Sequence, residues 1–237
     1  MILAHVMSAL EEKMDVGVSG IEVDVLAEKI IRDHGCKPAF KGFDAGAGDP
    51  FPATVCFSLN EQIVHAIPSE RKIADGDLVK IDIGLIHNGY YADMARTFCM
   101  GAVSKEAKHL TETTKKAFFK GLATIKDGST LHDYAHAVQD YAESEGFHVV
   151  YDLVGHGVGK QLHEPPLIPN YVNDHVQNFS FCAGMTVALE PMINIGTAAT
   201  TIADDGWTYV TGDGSLSAHW ENTILVTKNG TEILTKI

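Results

Sequence analysis

Residues 78–98 read LVKIDIGLIHNGYYADMARTF. Two β-favouring runs, Leu78–Leu85 and Tyr90–Phe98, flank His87-Asn88-Gly89. Asn-Gly is favoured in two-residue hairpin turns because both turn positions require positive φ. The stretch therefore predicts an antiparallel hairpin. Val79, Ile81 and Ile83 share one face of its first strand, so Asp82 points the other way with Lys80 and Gly84. Asp82 and Asp93 flank a midpoint between His87 and Asn88, which predicts cross-strand neighbours. Carboxylates that close in a partly buried sheet repel each other, and protonation or a bound cation relieves them. An exposed pair of strand residues is the alternative reading of the same spacing.

Working outward, Val55–Leu59 and Ile63–Ile67 precede the hairpin as further strands, and turns at Asn60-Glu61 and Asp75-Gly76-Asp77 make the region a β-meander. Before it, Met1–Met14 has helical apolar spacing. Ser19-Gly20-Ile21-Glu22 is a capping box opening a second helix that stops at Gly35. After the hairpin, Ser104 caps a helix running to about Ile125, and Thr130 with Asp133 opens another that ends at Gly146. Strand-like runs follow through Val154, Thr186–Ile193, Trp207–Thr211 and Trp220–Thr227. Two helices followed by strands thus occur twice. Segregated helix and strand runs predict an α+β fold, with duplicated helices on one face of a curved antiparallel sheet. The expected organisation is a single domain, residues 1–237, with pseudo-repeat halves of about 1–100 and 104–237.

The chain has 237 residues, 45% of them hydrophobic, enough to bury a sizeable core. Its formal net charge of −13 argues against general nucleic-acid binding, which rests on phosphate neutralisation by Lys and Arg. No apolar run reaches the roughly 20 residues of a membrane span. Met1–Leu10 has neither the cationic start nor the cleavage site of a signal peptide, so a cytoplasmic location is expected. Cys36, Cys56, Cys99 and Cys182 form no CxxC pair, which leaves reduced thiols as the expectation.

His156 lies in Gly155-His156-Gly157-Val158-Gly159, where small neighbours let backbone and imidazole approach a ligand or another strand. Glu190 and Glu221 are embedded in apolar, strand-like runs, and a buried glutamate needs a partner. No Lys or Arg occurs from Gln161 to Thr227, a stretch of 67 residues, so a cationic side chain is scarce and a metal becomes the favoured partner. Oxygen-rich ligation with one imidazole suits Mn, Fe, Co or Zn in a two-metal hydrolytic site. His65 and His163 remain candidates for donating to an oxyanion or moving a proton, or for simple bonding to backbone.

Six motifs in order carry a resemblance: Asn60-Glu61-Gln62-Ile63-Val64-His65, the Asp82/Asp93 pair, Gly155–Gly159, His163-Glu164-Pro165-Pro166, Leu189-Glu190-Pro191-Met192, and Ser217-Ala218 through Glu221. Together they resemble the type I methionine aminopeptidases, which have the pita-bread fold. The resemblance implies removal of N-terminal methionine from nascent proteins and peptides, before a small second residue, by a water that bridges two divalent metal ions. It implies that Asp82 chelates one ion, that Asp93 and Glu221 bridge both, and that His156 and Glu190 complete the second. Glu190 is then the proton acceptor, His65 and His163 contact substrate, and Phe43, Cys56, Leu162 and Trp207 line the methionine pocket with them. A competing reading is an Xaa-Pro aminopeptidase or prolidase-like exopeptidase of the same fold. Another is a non-catalytic peptide-binding module.

Three features depart from the family's pattern. The loop Phe43–Phe51 is longer and richer in glycine, which makes Phe43 and Phe51 weaker pocket assignments than Cys56. His219 and Asn222 flank Glu221 where Gln and His are common. The loop Asn194–Asp205 carries no base, which implies weak or differently placed ribosome association. The short opening segment of many relatives is also expected to be missing. A monomer is expected, since no heptad seam is evident.

Overall fold

The helices form where local signals and tertiary burial agree. Ser19 Oγ accepts from the Glu22 amide at 3.3 Å while the Glu22 carboxylate accepts from the Ser19 amide at 2.8 Å, a complete capping box. Thr130 and Asp133 form the same reciprocal pair, and Ser104 caps the helix between them. These observations come from a computed structural model that describes residues 1–44, 46 and 48–237. Ala45 and Ala47, part of the expected 43–51 pocket loop, lie outside the described residues.

Helices α1 (Ile2–Lys13) and α2 (Gly20–Asp33) precede β1 (Lys37–Pro38), β2 (Val55–Leu59), β3 (Gln62–Val64), β4 (Leu78–His87) and β5 (Tyr90–Cys99). Helices α3 (Lys105–Leu122) and α4 (Leu131–Ser144) precede β6 (His148–Val149), β7 (Gly155–Gly157), β8 (Glu164–Ile168), β9 (Thr186–Leu189) and β10 (Met192–Asn194). The chain ends with β11 (Thr200–Ile202), β12 (Tyr209–Thr211), β13 (Ser217–His219), β14 (Asn222–Thr227) and β15 (Gly230–Ile233). This is the expected α+β composition. Each helix pair has its own core. Val6, Met7, Leu10, Val23 and Ile31 pack against Val55, Phe57, Ile81 and Ile83, whereas Phe118, Tyr134 and Val138 pack against Val187, Leu189, Ile193 and Ile224. Burying each large aliphatic or aromatic side chain contributes about 1.5–3 kcal/mol, so both helix layers are held by packing more than by propensity.

The β-meander does not form. β2 pairs with β4, while β3 leaves the sheet to pair with β12, with Tyr209 opposite Val64. The run expected over Ile63–Ile67 also stops at Val64, because His65 takes the left-handed φ of 61°. The strand expected over Thr186–Ile193 breaks at Glu190-Pro191, and the one expected over Trp220–Thr227 starts only at Asn222. β8 is unanticipated because Pro165 and Pro166 lack ladder donors.

The two regions are joined side by side. Thr97 Oγ1 donates to His219 O and accepts from His219 N, both at 2.8 Å. Glu221 N donates to Ala95 O at 3.0 Å, and Thr223 Oγ1 both donates to Asp93 O and accepts from Asp93 N. The Lys80 ammonium, fully buried, donates to Asn60 O at 2.7 Å and Ser217 O at 3.0 Å. β5 and residues 219–223 therefore run as one seam.

β7 is sandwiched between β8 and β9, and a Cβ at Gly155 would stand 2.5 Å from Ala188 O. Gly155→Ala should therefore cost about 1–3 kcal/mol through overpacking. Urea unfolding of the metal-free protein reads this; an unchanged midpoint would show that β7 has room.

Candidate metal centre

The register of the hairpin decides how its two aspartates meet. Asn88 (φ 50°) and Gly89 (φ 79°) form the turn and His87 pairs with Tyr90, so Asp82 lies opposite Ala95 and Asp93 opposite Gly84. The aspartates are thus diagonal neighbours on one face, offset from the direct pairing that the sequence midpoint suggests. Their face is opposite that of Ile81 and Ile83, which enter the α1/α2 core.

Glu190 and Glu221 come from a different device. β9 and β14 pair up to Leu189 and Asn222, and β10 and β13 resume pairing at Met192 and His219. Between these points both strands change sheet at once. Pro191 supplies no amide donor there, although its carbonyl accepts from Trp220 N at 3.2 Å. This shared break turns both glutamates toward the aspartate face. His156 reaches the same space from β7.

One oxygen each of Asp93 and Glu221 and one nitrogen of His156 lie within 4.8 Å of one another. His156 Nδ1 is 2.8 Å from Gly157 O, and a bond donated there leaves Nε2, 3.4 Å from Glu190 Oε1, with its lone pair free. Asp82 Oδ1, Asp93 Oδ1 and Glu221 Oε1 are buried with no hydrogen-bond partner among the described residues. Arg96 approaches Glu221 but gives its guanidinium to the Glu221 and Ala95 carbonyls and to Asn222 Oδ1. The oxygens therefore lack a cationic side chain directed at them.

Burial first, then Asp93 and Glu190, holds the Asp82 carboxyl well above the usual range. Burial followed by repulsion from the other carboxylates does the same to Glu190 and Glu221, and burial pushes Asp93 up to about 7. Orphaned oxygens, mutual repulsion and a free imidazole lone pair are what a divalent-cation site requires, so the residues present fit a metal.

The centre opens into a cavity of about 510 Å³. All eleven expected site residues line it: Asp82, Asp93, His156, Glu190 and Glu221 at one end, with His65, His163, Phe43, Cys56, Leu162 and Trp207 around the remainder. Phe43 stands edge-on to His163 with centroids 5.1 Å apart, and His163 edge-on to His156 at 4.5 Å. Burial draws His65 and His156 down to about 4, with His163 a further cause for both, and it lowers His163 too. Neutral imidazoles follow, each able to donate one N–H and accept at the other nitrogen. Phe51, the weaker assignment, is buried and edge-on to Trp207 at 5.2 Å. Phe40 and Tyr209 also line the cavity but escaped the sequence reading. Tyr209 carried a usable signal, alternation by two from Trp207. Asn222 points away from the centre toward Arg96 and Thr235, whereas His219 faces Glu190 and Glu221.

Known proteins place this geometry in context. Residues 1–228 match metallopeptidase family M24. The methionine aminopeptidase of Clostridium perfringens is 43% identical over 236 residues, covering 100% of this chain and 92% of its own. The crystal structure of methionine aminopeptidase from Thermotoga maritima superposes with a TM-score of 0.93 at 39% identity, covering 100% of this chain and 93% of that one. These neighbours share the pita-bread fold expected from the motifs. The prolidase from Pyrococcus furiosus, at 24% identity and a TM-score of 0.77 over 100% of this chain and 61% of its own, shares the fold alone.

Carboxylates that hold protons in the fold and release them on unfolding make stability fall as pH rises. For Asp93 the window runs from about 4, the unfolded value, to about 7. Asp82, Glu190 and Glu221, raised well above the ordinary range, act in the same direction. The neutral histidines oppose this only below their ordinary value of about 6.5. Metal-free Glu221→Gln, which has no proton to lose, should match wild type near pH 5 and melt above it near pH 8. Added Mn or Co should reverse the order at pH 8, because wild type binds the ion more tightly. Scanning fluorimetry reads both, and parallel pH curves would contradict the electrostatic account.

Proposed function

The chain belongs to metallopeptidase family M24, and we propose that it hydrolyses the first peptide bond of proteins and peptides that begin with methionine. Relatives named methionine aminopeptidase align over its whole length and support this activity, with peptide and protein N termini as substrates. One observation carries the reading: a buried cluster of carboxylates and imidazole opens directly onto an apolar cavity walled by Cys56, Phe43, Leu162 and Trp207. Such a lining suits an unbranched thioether.

Family membership implies divalent metal ions. In our reading there are two, Mn, Fe, Co or Zn, and Asp82, Asp93, His156, Glu190 and Glu221 would hold them. When bound they would supply Lewis-acid polarisation of the scissile carbonyl and acidify a water. The protein's own groups do the rest. Glu190, a carboxylate whose basicity burial raises, accepts the proton of the attacking water and can return it to the leaving amine. His163 and His65, kept neutral, donate hydrogen bonds to the developing oxyanion and the scissile amide. His65 is held at its left-handed φ of 61°, the kind of local strain that surrounding structure sustains where a side chain must be aimed.

We also read residues 1–237 as one catalytic domain whose halves, about 1–100 and 104–237, each contribute a carboxylate pair: Asp82 with Asp93, and Glu190 with Glu221. A preference for a small second residue, a cytoplasmic monomer and weak ribosome association complete the proposal. The loop at 194–205, which carries Asp204 and Asp205 and no base, supports the last of these. Among the described residues, no helix is long and apolar enough to cross a membrane.

Metal-loaded protein should cleave Met-Ala-Ser and leave Xaa-Pro peptides intact, and chelation should abolish turnover. Exclusive Xaa-Pro cleavage would move the protein to the competing exopeptidase class, and an inert, metal-free wild type would revive a binding module. His163→Ala should lower kcat about 10²–10³-fold, the usual cost of one oxyanion donor. A rise in KM with kcat unchanged would remove His163 from the chemical step.

A further inference from the structure

His219 has no role in the mechanism above, yet it is 1% exposed and neither of its ring nitrogens has a hydrogen-bond partner among the described residues. Its backbone is fixed on both sides by Thr97 Oγ1, so the ring's position follows from the seam between β5 and β13. From there Nε2 lies 3.9 Å from Glu190 Oε2 and 3.9 Å from Glu221 Oε2. A buried imidazole left unpaired at both nitrogens is costly, because it loses its hydrogen bonds to water and gains none in return. Of its neighbours, Lys80 and Arg96 commit their cationic groups to carbonyls and Asn222, and the two carboxylates are acceptors.

We propose that His219 is a positioning residue whose Nε2–H holds the carboxylates of Glu190 and Glu221 in their ligating orientation. The inference rests on the metal reading proposed above. His219 is outside the Asp93, His156 and Glu221 group whose ligand atoms converge, and its Nε2 is equally far from an oxygen of each glutamate. A carboxylate that gives one oxygen to a cation presents the other to a donor. Closure by about 1 Å, within reach of a side-chain rotation, brings Nε2 to ordinary N–H···O distance. An ionised carboxylate selects the tautomer with its proton on Nε2. A single imidazole midway between the two carboxylates thereby ties the side chains of Glu190 and Glu221 to the hydrogen-bonded seam. Partners of this kind typically govern metal affinity by 10–100-fold.

Cobalt(II) titration followed by calorimetry and by visible absorption tests this. His219→Leu should weaken cobalt affinity about 10–100-fold and shift the ligand-field bands. His219→Gln, which keeps an N–H donor of similar reach, should recover most of both. Leucine behaving as wild type would overturn the proposal, and so would glutamine as impaired as leucine, since that requires imidazole itself. If His219→Leu fails to fold, His219→Met, also without a donor, replaces it with the same criteria. A wild type that binds no cobalt would overturn the metal reading itself, whereas normal wild-type binding with an unaffected donor-less variant defeats only the role of His219.

Discussion

Asp82, Asp93, Glu190 and Glu221 share a buried space into which, among the described residues, no lysine or arginine side chain is directed. Isolated in a fold, that arrangement is unfavourable: desolvation and mutual repulsion both oppose ionisation. The surrounding structure holds the four groups in place nonetheless. A hairpin presents the aspartates on one face, and a paired strand break presents the glutamates toward them. The seam of β5 with residues 219–223 brings the two surfaces together. Two separate hydrophobic cores supply the stabilisation that offsets the centre.

The available cations are placed consistently with this requirement. Arg96 and Lys80 are both buried beside the centre, and both satisfy backbone carbonyls across the junction instead of neutralising the carboxylates. Trp220 stacks on Arg96, with the guanidinium carbon 4.1 Å from the ring centroid, and so keeps the guanidinium from swinging inward. The Arg96 guanidinium and the Lys80 side chain thus brace the frame, while Asp82 Oδ1, Asp93 Oδ1 and Glu221 Oε1 keep no hydrogen-bond partner among the described residues. The cavity beyond them becomes apolar over a short distance, with neutral histidines at the transition.

Much of this was legible in the chain because it depends on short-range rules. Asn88-Gly89 encoded the hairpin, Ser19/Glu22 and Thr130/Asp133 encoded helix starts, and the motifs around Asp82, Asp93, His156, Glu190 and Glu221 marked the centre. The base-free stretch from Gln161 to Thr227 even pointed to a non-protein counterion. Two of the failures share one cause, since each concerns a choice made between segments distant in sequence. β3 reads as a meander strand, but its partner is β12, and Thr186–Ile193 reads as one strand until it must serve two sheets.

The sequence by itself thus marked the residues that the fold gathers around one cavity, the α+β class and the order of helices and strands, because residue type, capping and periodicity act locally. Tertiary structure alone decided that Asp82 and Asp93 meet diagonally, that Asn222 braces Arg96, and that His219 faces two glutamates. Those outcomes depend on register and on where two sheets join. The first is set by the register of one hairpin; the other two are set by hydrogen bonds between residues more than 120 positions apart, such as Arg96 with Asn222 and Thr97 with His219, which no local pattern records.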